Sequence, residues 1–318
     1  MKNFAITGTA GYIAPRHLQA IKDTGNNLVA AVDPHDSVGI LDRFFPEASF
    51  FTEIERFDRH LEKLKRYEKD KKADYISICS PNNLHDAHIR LALRLGADAI
   101  CEKPLVLNPW NLDALEEIEK ETGNRVYTIL QLRTHPALIK IKEEISVQKK
   151  SGKHNVLLTY ITSRGPWYDF SWKGDVQKSG GVATNIGIHL FDLLIWLFGG
   201  VARTQVHLSD SHRAAGFIEL ENANVKWFLS IDRRDLPEQV VKNGKTTFRS
   251  IQIEGKEVEF TEGFTDLHTE VYRRTLAGNG FGIEDARKSI ETVYAIRNSK
   301  ISFDKDLIHP YTGQYLKK

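Results

Sequence analysis

Along the first 130 positions, short apolar runs alternate with stretches of helical period. Residues 2–8, 27–33, 75–80, 97–103 and 125–132 are apolar runs of strand length. Between them Ala14, Leu18 and Ile21 recur at helical spacing, as do Phe57, Leu61 and Leu64 in a heavily charged stretch. Leu84, Leu91 and Leu95 mark another helix, with Gly96 placed to stop it. Asn108-Pro109 reads as an N-cap followed by proline in the first helical position, and Gly123 closes that helix. Strands alternating with helices predict a doubly wound α/β domain over residues 1–130, a parallel sheet with helices on both faces.

The pattern then changes. A helix around Leu138, Ile141 and Ile145 leads into a strand, "HNVLLTYITS", and a helix runs from about Thr184 to Phe198. Strand-like runs at 202–209, 214–220, 223–231, 247–254 and 257–261 follow without helices between them, which predicts an antiparallel sheet. Two helices, near Leu267–Leu276 and Glu284–Arg297, end the chain. Residues 131–318 are therefore expected to form an α+β domain.

Composition narrows the partners. Forty-four Lys and Arg against 42 Asp and Glu leave a formal charge of +2, without the basic excess of a dedicated nucleic-acid or membrane-surface binder. The longest apolar run, Leu190 to Phe198, is broken by Asp192 and is too short to span a bilayer. Cys79 and Cys101 both lie in strand-like runs and suggest neither a disulfide framework nor a metal site. The N-terminus enters a strand at once, so the expectation is a cytoplasmic protein with no metal.

Several segments carry candidate chemistry. In "AITGTAGYIAPRHLQAI", Gly8 and Gly11 lie between the first strand and its helix, where glycines let the backbone approach a pyrophosphate. The third glycine of the usual fingerprint is missing, and a tight strand–helix turn also explains the pair. The next strand ends in Asp33, 22 residues after Gly11. A carboxylate there accepts from an adenosine ribose and repels a 2′-phosphate, which favours NAD over NADP. Ser80, Asn82 and His85 follow another strand, where a dinucleotide's ribose and nicotinamide would lie, although Pro81-Asn82 also reads as a plain helix start. Lys103, in "CEKPL", follows a further strand and is aimed by Pro104; the bland alternative is neutralisation by Glu102. Tyr12, Ile13, Glu102 and Gln131 complete the candidate cofactor contacts.

In "GGVATNIGIHLFDLLIWLFGG", helical spacing puts Asn185, His189 and Asp192 on one face opposite an apolar one. A polar stripe of this kind lines a site more often than it packs core. In "SRGPWYDFSWKGD", Arg164, Tyr168, Trp172 and Lys173 suit either an anionic, partly flat ligand or a subunit contact. "RRD" at 233–235 reads as a solvated turn before it reads as an anion clamp.

The Gly-rich first turn, "EKP" and "NIGIH" together resemble the Gfo/Idh/MocA oxidoreductase family over essentially the whole chain. The resemblance implies a Rossmann domain followed by an α+β domain with a large, mostly antiparallel open sheet, and NAD as cofactor. It also implies that Lys103 and His189 flank the substrate carbinol and handle its proton; from their residue types and positions, Arg164, Tyr168 and Asn185 are the expected substrate contacts. The family's second motif commonly begins with Asp; here that position is Asn185, which removes a carboxylate. The stretches "TYITSRGPWY", "SWKGD" and "GVATNIGIHLFD" are similar to a subgroup that oxidises the 3-hydroxyl of UDP-N-acetyl-D-glucosaminuronic acid for bacterial surface polysaccharide. Some members of that subgroup recycle NADH with 2-oxoglutarate, and relatives assemble as homo-oligomers, often tetramers. The alternatives are a dehydrogenase of a free sugar or inositol, and a dinucleotide-sensing regulator without turnover.

Overall fold

In the computed structural model, which describes residues 1–147, 152–258 and 266–316, the N-terminal apolar runs become strands of one parallel sheet. These are β1 (Asn3–Thr7), β2 (Asn27–Val32), β4 (Tyr75–Ile78), β5 (Asp98–Cys101) and β6 (Val126–Thr128), joined by the short β3 (Ser49–Phe51), which the sequence pattern did not mark. The strand order is β3-β2-β1-β4-β5-β6, so the chain reverses direction across the sheet between β1 and β4. That switch point opens a crevice at the strands' carboxyl ends. The intervening helices are α1 (Ala14–Asp23), α2 (Ile40–Phe44), α3 (Ile54–Tyr67), α4 (His85–Leu95) and α5 (Pro109–Thr122), the last two ending at Gly96 and Gly123 as expected.

The chain divides into two units, Met1–Thr134 with Gly263–Arg287, and His135–Glu262 with Lys288–Lys318. This corrects the expectation that everything after residue 130 belongs to the second domain. Helix α11 (Leu267–Leu276) returns to the first unit, where Val271 and Tyr272 are fully buried among Phe4, Ile6, Leu18 and Ile21. The Thr128 amide at the edge strand also donates to the Phe281 carbonyl. Periodicity shows that a helix has an apolar face, not which distant core that face enters.

The second unit begins with α6 (Pro136–Val147) and β7 (His154–Thr162), followed by two short helices, α7 (Trp167–Phe170) and α8 (Val176–Ser179). A π-helical turn, Ala183–Gly187, runs into α9 (Ile188–Phe198). Then come β8 (Val201–Ser209), β9 (Arg213–Leu220), β10 (Ala223–Ser230), α10 (Glu238–Lys242), β11 (Thr247–Ile253) and β12 (Lys256–Glu257). The sheet order is β12-β11-β7-β10-β9-β8. Its pairs are antiparallel except β7 and β10, which run parallel from His154↔Ala223 to Ile161↔Ser230. The sheet is therefore mixed, because the long crossover through α9, β8 and β9 returns the chain in its original direction. The predicted strand at 257–261 is realised only at β12; residues 259–261 lie outside the described residues.

The segment Val176–Phe198 is long and apolar enough to cross a membrane, yet 83% of its most apolar window is buried within the protein. Leu190, Phe191, Leu193, Leu194 and Leu197 are all buried, so α9 is a core helix. A second cluster packs His309, Tyr311 and Tyr315 around Phe228 of β10. Helix α12 (Ile283–Asn298) carries the chain from the first unit into the second.

Candidate active site

The first unit builds its crevice from strand ends. Gly8 follows β1 with φ +77°, a conformation an L side chain rarely adopts, and a Cβ there would lie 2.5 Å from the Cys79 carbonyl. Gly11 is equally tight: its Cβ would lie 2.9 Å from the Gly8 carbonyl oxygen, to which its own amide donates. The turn thus lies flat against the end of β4. The backbone amides of Tyr12 and Ile13, just before α1, make no hydrogen bond among the described residues. Free amides at a helix N-terminus are an anion site. Tyr12 is 89% exposed over this turn, and Ile13 is half-buried.

Asp33, buried just after β2, accepts the Ala10 amide on one oxygen and the His35 amide on the other, each at 2.9 Å. It fixes the glycine turn to β2 and keeps lone pairs for a ribose. At the end of β4, Ser80 Oγ meets His88 Nδ1 at 2.8 Å, and Asn82 is buried. Gln131, expected in a strand, lies instead in a 3₁₀ turn, Gln131–Thr134; its Oε1 is buried without a hydrogen bond among the described residues. Such an acceptor calls for a ligand donor.

Two expected cofactor contacts turn inward. His85 Nδ1 faces the Pro104 carbonyl at 2.7 Å and Nε2 the Ser80 carbonyl at 2.9 Å, so the ring braces the loop bearing Lys103. Burial lowers its proton affinity. Glu102 directs Oε1 to the Nε2 atoms of His17 and His268, each at 3.0 Å. Burial pushes this carboxyl up, but the two histidine hydrogen bonds outweigh it and hold the group well below the usual carboxylate range. Lys103 is half-buried, its amide 3.3 Å from Glu102 Oε2, and its peptide to Pro104 is cis.

In the second unit the polar stripe is real but differs from the α-helical projection. Asn185 lies in the π turn and His189 in the first turn of α9; both are half-buried between buried neighbours. Asp192, placed on the same face by sequence spacing, is 2% exposed. The π turn changes the offset of Asn185 from α9, whereas His189 and Asp192 keep their α-helical spacing and differ in burial, so the partly exposed stripe is Asn185 and His189. Asn185 Nδ2 donates to Tyr168 Oη at 2.7 Å, which joins two of the predicted substrate contacts. His189 packs edge-on against Tyr160, ring centroids 5.9 Å apart.

Arg164 lines a cleft of about 260 Å³ with Tyr168, His212, Arg233 and Arg234. The guanidinium groups of Arg164 and Arg233 make no hydrogen bond or ion pair among the described residues. Arg234 is held by Asp232, and His212 by Asp169. The cleft therefore presents two uncommitted cations and suits a divalent anion such as a diphosphate. The "RRD" turn belongs to this cleft, a role that its exposed sequence could not distinguish from solvation. Lys173, 4.2 Å from the Trp172 ring centre, is engaged in a cation–π contact.

Comparison with known proteins decides the family. The model of an oxidoreductase family with an NAD-binding Rossmann fold matches residues 2–130, and that of the family's C-terminal α/β domain matches residues 153–232. The chain belongs to the Gfo/Idh/MocA oxidoreductases. A WlbA (WbpB) dehydrogenase of Thermus thermophilus is 54% identical, with a TM-score of 0.93, and the match covers 98% of this chain and 100% of that one. That enzyme has been solved with NAD and alpha-ketoglutarate and with NAD and UDP-GlcNAcA. Among curated relatives, oxidoreductase YteT of Bacillus subtilis (strain 168) is 30% identical over 130 residues, 40% of this chain and 30% of the relative. D-glucoside 3-dehydrogenase of Escherichia coli (strain K12) is 23% identical over 203 residues, 54% of this chain and 56% of the relative. The chain thus spans about a third to just over half of these two curated relatives.

The first unit is the family's NAD-binding Rossmann domain, and its residues fit the cofactor. The glycine turn leaves no room for a Cβ, Asp33 stands at the end of β2, and among the described residues two amides at α1 are free and Gln131 Oε1 lacks a donor.

Proposed function

We propose that this chain oxidises the 3-hydroxyl of UDP-N-acetyl-D-glucosaminuronic acid to the 3-keto sugar. The observation that carries the reading is the second unit's pairing of Asn185 with Tyr168 next to a cleft with two uncommitted arginines. A neutral amide–phenol pair suits sugar hydroxyls, and the arginines suit the uronate or diphosphate. The likeness to the Thermus enzyme supplies the sugar's identity. Bound NAD supplies the hydride acceptor.

The chain's own residues deal with the proton. Lys103 follows β5 directly, and a cationic nicotinamide near it would weaken its hold on a proton, which suits a base or a donor to the nascent ketone. An imidazole is the side chain best suited to exchange a proton near neutral pH, and the ring of His189 is steadied by Tyr160. Asn185 and Tyr168 orient the ring hydroxyls, and without a carboxylate at position 185 the group that first receives the hydroxyl proton is Lys103 or His189. The reading includes recycling of NADH by 2-oxoglutarate, a cytoplasmic location and a homo-oligomer, expected to be a tetramer by light scattering.

The test is NADH absorbance when the purified protein meets NAD and UDP-N-acetylglucosaminuronic acid, with and without 2-oxoglutarate. Reduction with this sugar and not with its neutral counterpart supports the reading. Turnover of free glucosides or inositol at equal or higher kcat/KM would replace it with the neutral-sugar alternative. Lys103→Met and His189→Asn should each lower kcat by about 10²-fold or more; a change within threefold removes that residue from the proton-handling pair.

A further inference from the structure

Behind Lys103 the first unit holds a line of polar side chains that the sugar chemistry does not use. His268 from α11 and His17 from α1 both direct Nε2 at Glu102 Oε1, each at 3.0 Å. His17 Nδ1 lies 2.7 Å from Tyr272 Oη, which lies 2.6 Å from Ser77 Oγ. His17, Tyr272 and Ser77 are fully buried, and Glu102 and His268 nearly so.

Hydrogen-bond accounting gives the His17–Tyr272–Ser77 part of this line two states. An ionised carboxylate only accepts, so both Nε2 atoms carry hydrogen. In one state His17 Nδ1 is bare and takes the Tyr272 hydroxyl proton, while Ser77 donates to Tyr272. In the other His17 Nδ1 is protonated and donates to Tyr272, whose hydroxyl turns to Ser77. The heavy atoms stay in place, so the line gains or loses one proton without rearrangement. Burial keeps the His17 proton affinity below its ordinary 6.5, against the opposing pull of Glu102. The other titratable groups facing Glu102 are Lys103, His85 from α4, and the thiols of Cys79 and Cys101, which burial pushes up and keeps neutral.

Glu102 follows β5 at the carboxyl edge of the sheet, where a Rossmann domain holds its dinucleotide. A nicotinamide carries one positive charge when oxidised and none when reduced. Oxidised nicotinamide and protonated His17 therefore compete for the field of one carboxylate. We propose that the line His268–Glu102–His17–Tyr272–Ser77 is a proton acceptor linked to the redox state of the cofactor, binding one proton when the dinucleotide is reduced and releasing it on reoxidation. Oxidation of a secondary alcohol yields a ketone, a hydride on the nicotinamide and one proton. The line takes up one proton, so the charge at the end of β5 is unchanged. Hydride return to an oxo acid, with a proton, gives the hydroxy acid and restores the first state. The inference rests on the family's use of NAD and not on the identity of the sugar.

The test therefore omits sugar. NAD⁺ and NADH are titrated calorimetrically into the full chain, freed of retained dinucleotide, in buffers of different ionisation enthalpy from about pH 5 to 8. NADH should take up more protons than NAD⁺, approaching one. Its affinity relative to NAD⁺ should rise up to about tenfold for each unit of falling pH through the transition. His17→Asn should abolish the difference. Ser77→Ala removes the acceptor needed by the turned Tyr272 hydroxyl and should move the transition down by about one pH unit. Equal proton counts for the two dinucleotides would overturn the proposal, as would a wild-type difference in His17→Asn. So would stoichiometric metal in the purified protein, since His17, Glu102 and His268 offer three ligand atoms within 4.8 Å of one another.

Discussion

His309 gives the sharpest test of the second unit's packing. Its ring is fully buried and stacked on Phe228, centroids 5.7 Å apart. Nδ1 accepts the Tyr311 amide at 3.2 Å, which leaves Nε2 to donate to Thr159 Oγ1 at 3.1 Å. A backbone N–H aimed at Nδ1 excludes a proton there, so the folded ring is neutral. Burial, with a contribution from Lys226, pushes its pKa down to about 3. The unfolded chain binds a proton that the folded ring refuses, so stability is full above 6.5 and declines as pH falls below that value. Each pH unit costs about 1.4 kcal/mol until the native value is reached. At pH 5 the loss from this one residue is about 2 kcal/mol, and it is insensitive to the native value so long as that stays near 4 or below. The assay is urea unfolding between pH 7.5 and 5, followed by tryptophan fluorescence. Trp167, Trp172, Trp196 and Trp227 all lie in the second unit, and only Trp110 lies in the first. His309→Gln is expected to be less stable at pH 7.5 but to lose about 2 kcal/mol less than wild type on going to pH 5. Parallel pH dependences in the two proteins would refute a neutral, buried His309.

Three further outcomes follow from the same geometry. Gly8→Ala puts a Cβ 2.5 Å from the Cys79 carbonyl at φ +77°, which should displace the turn and weaken NAD binding by at least 100-fold in calorimetry, with a backbone strain of about 1–2 kcal/mol. Asp33→Ala removes the carboxylate beside the ribose site and should raise NADP affinity relative to NAD by about tenfold or more, read as a ratio of dissociation constants. Arg213→Met removes the cation paired with buried Asp235, which accepts its Nε at 2.7 Å, while half-buried Asp232 keeps Arg234; a loss of about 3–5 kcal/mol is expected in urea denaturation.

How much of this was legible in the sequence varies with the range of the interaction. Alternating runs announced the parallel sheet because a strand buried on both faces needs consecutive apolar residues, as in the "FAI" of β1. Gly8, Gly11 and Asp33 could be read for the same local reason, since the turn and the acid after β2 occupy fixed places in a βαβ unit. Lys103, Asn185 and His189 were proposed from their motifs, and the structure puts Asn185 and Tyr168 in contact. The sequence by itself determined the family, the cofactor's domain and the short polar segments that are the candidates for the chemistry.

Only the tertiary structure decided which of those side chains turn outward. Glu102 sits beside Lys103 in sequence, but it points into the fold because His17 and His268, 85 and 166 residues away, converge on it. His85 is consumed by two carbonyls brought to it by the Pro104 loop and the end of β4. Arg233 joins Arg164 because the turn after β10 lies beside the loop after β7, its parallel partner. Helix α11 enters the first unit's core although it follows the second unit's strands. Side-chain periodicity is a property of local backbone geometry, whereas these partners are chosen by long-range burial, which the linear order of residues does not encode position by position.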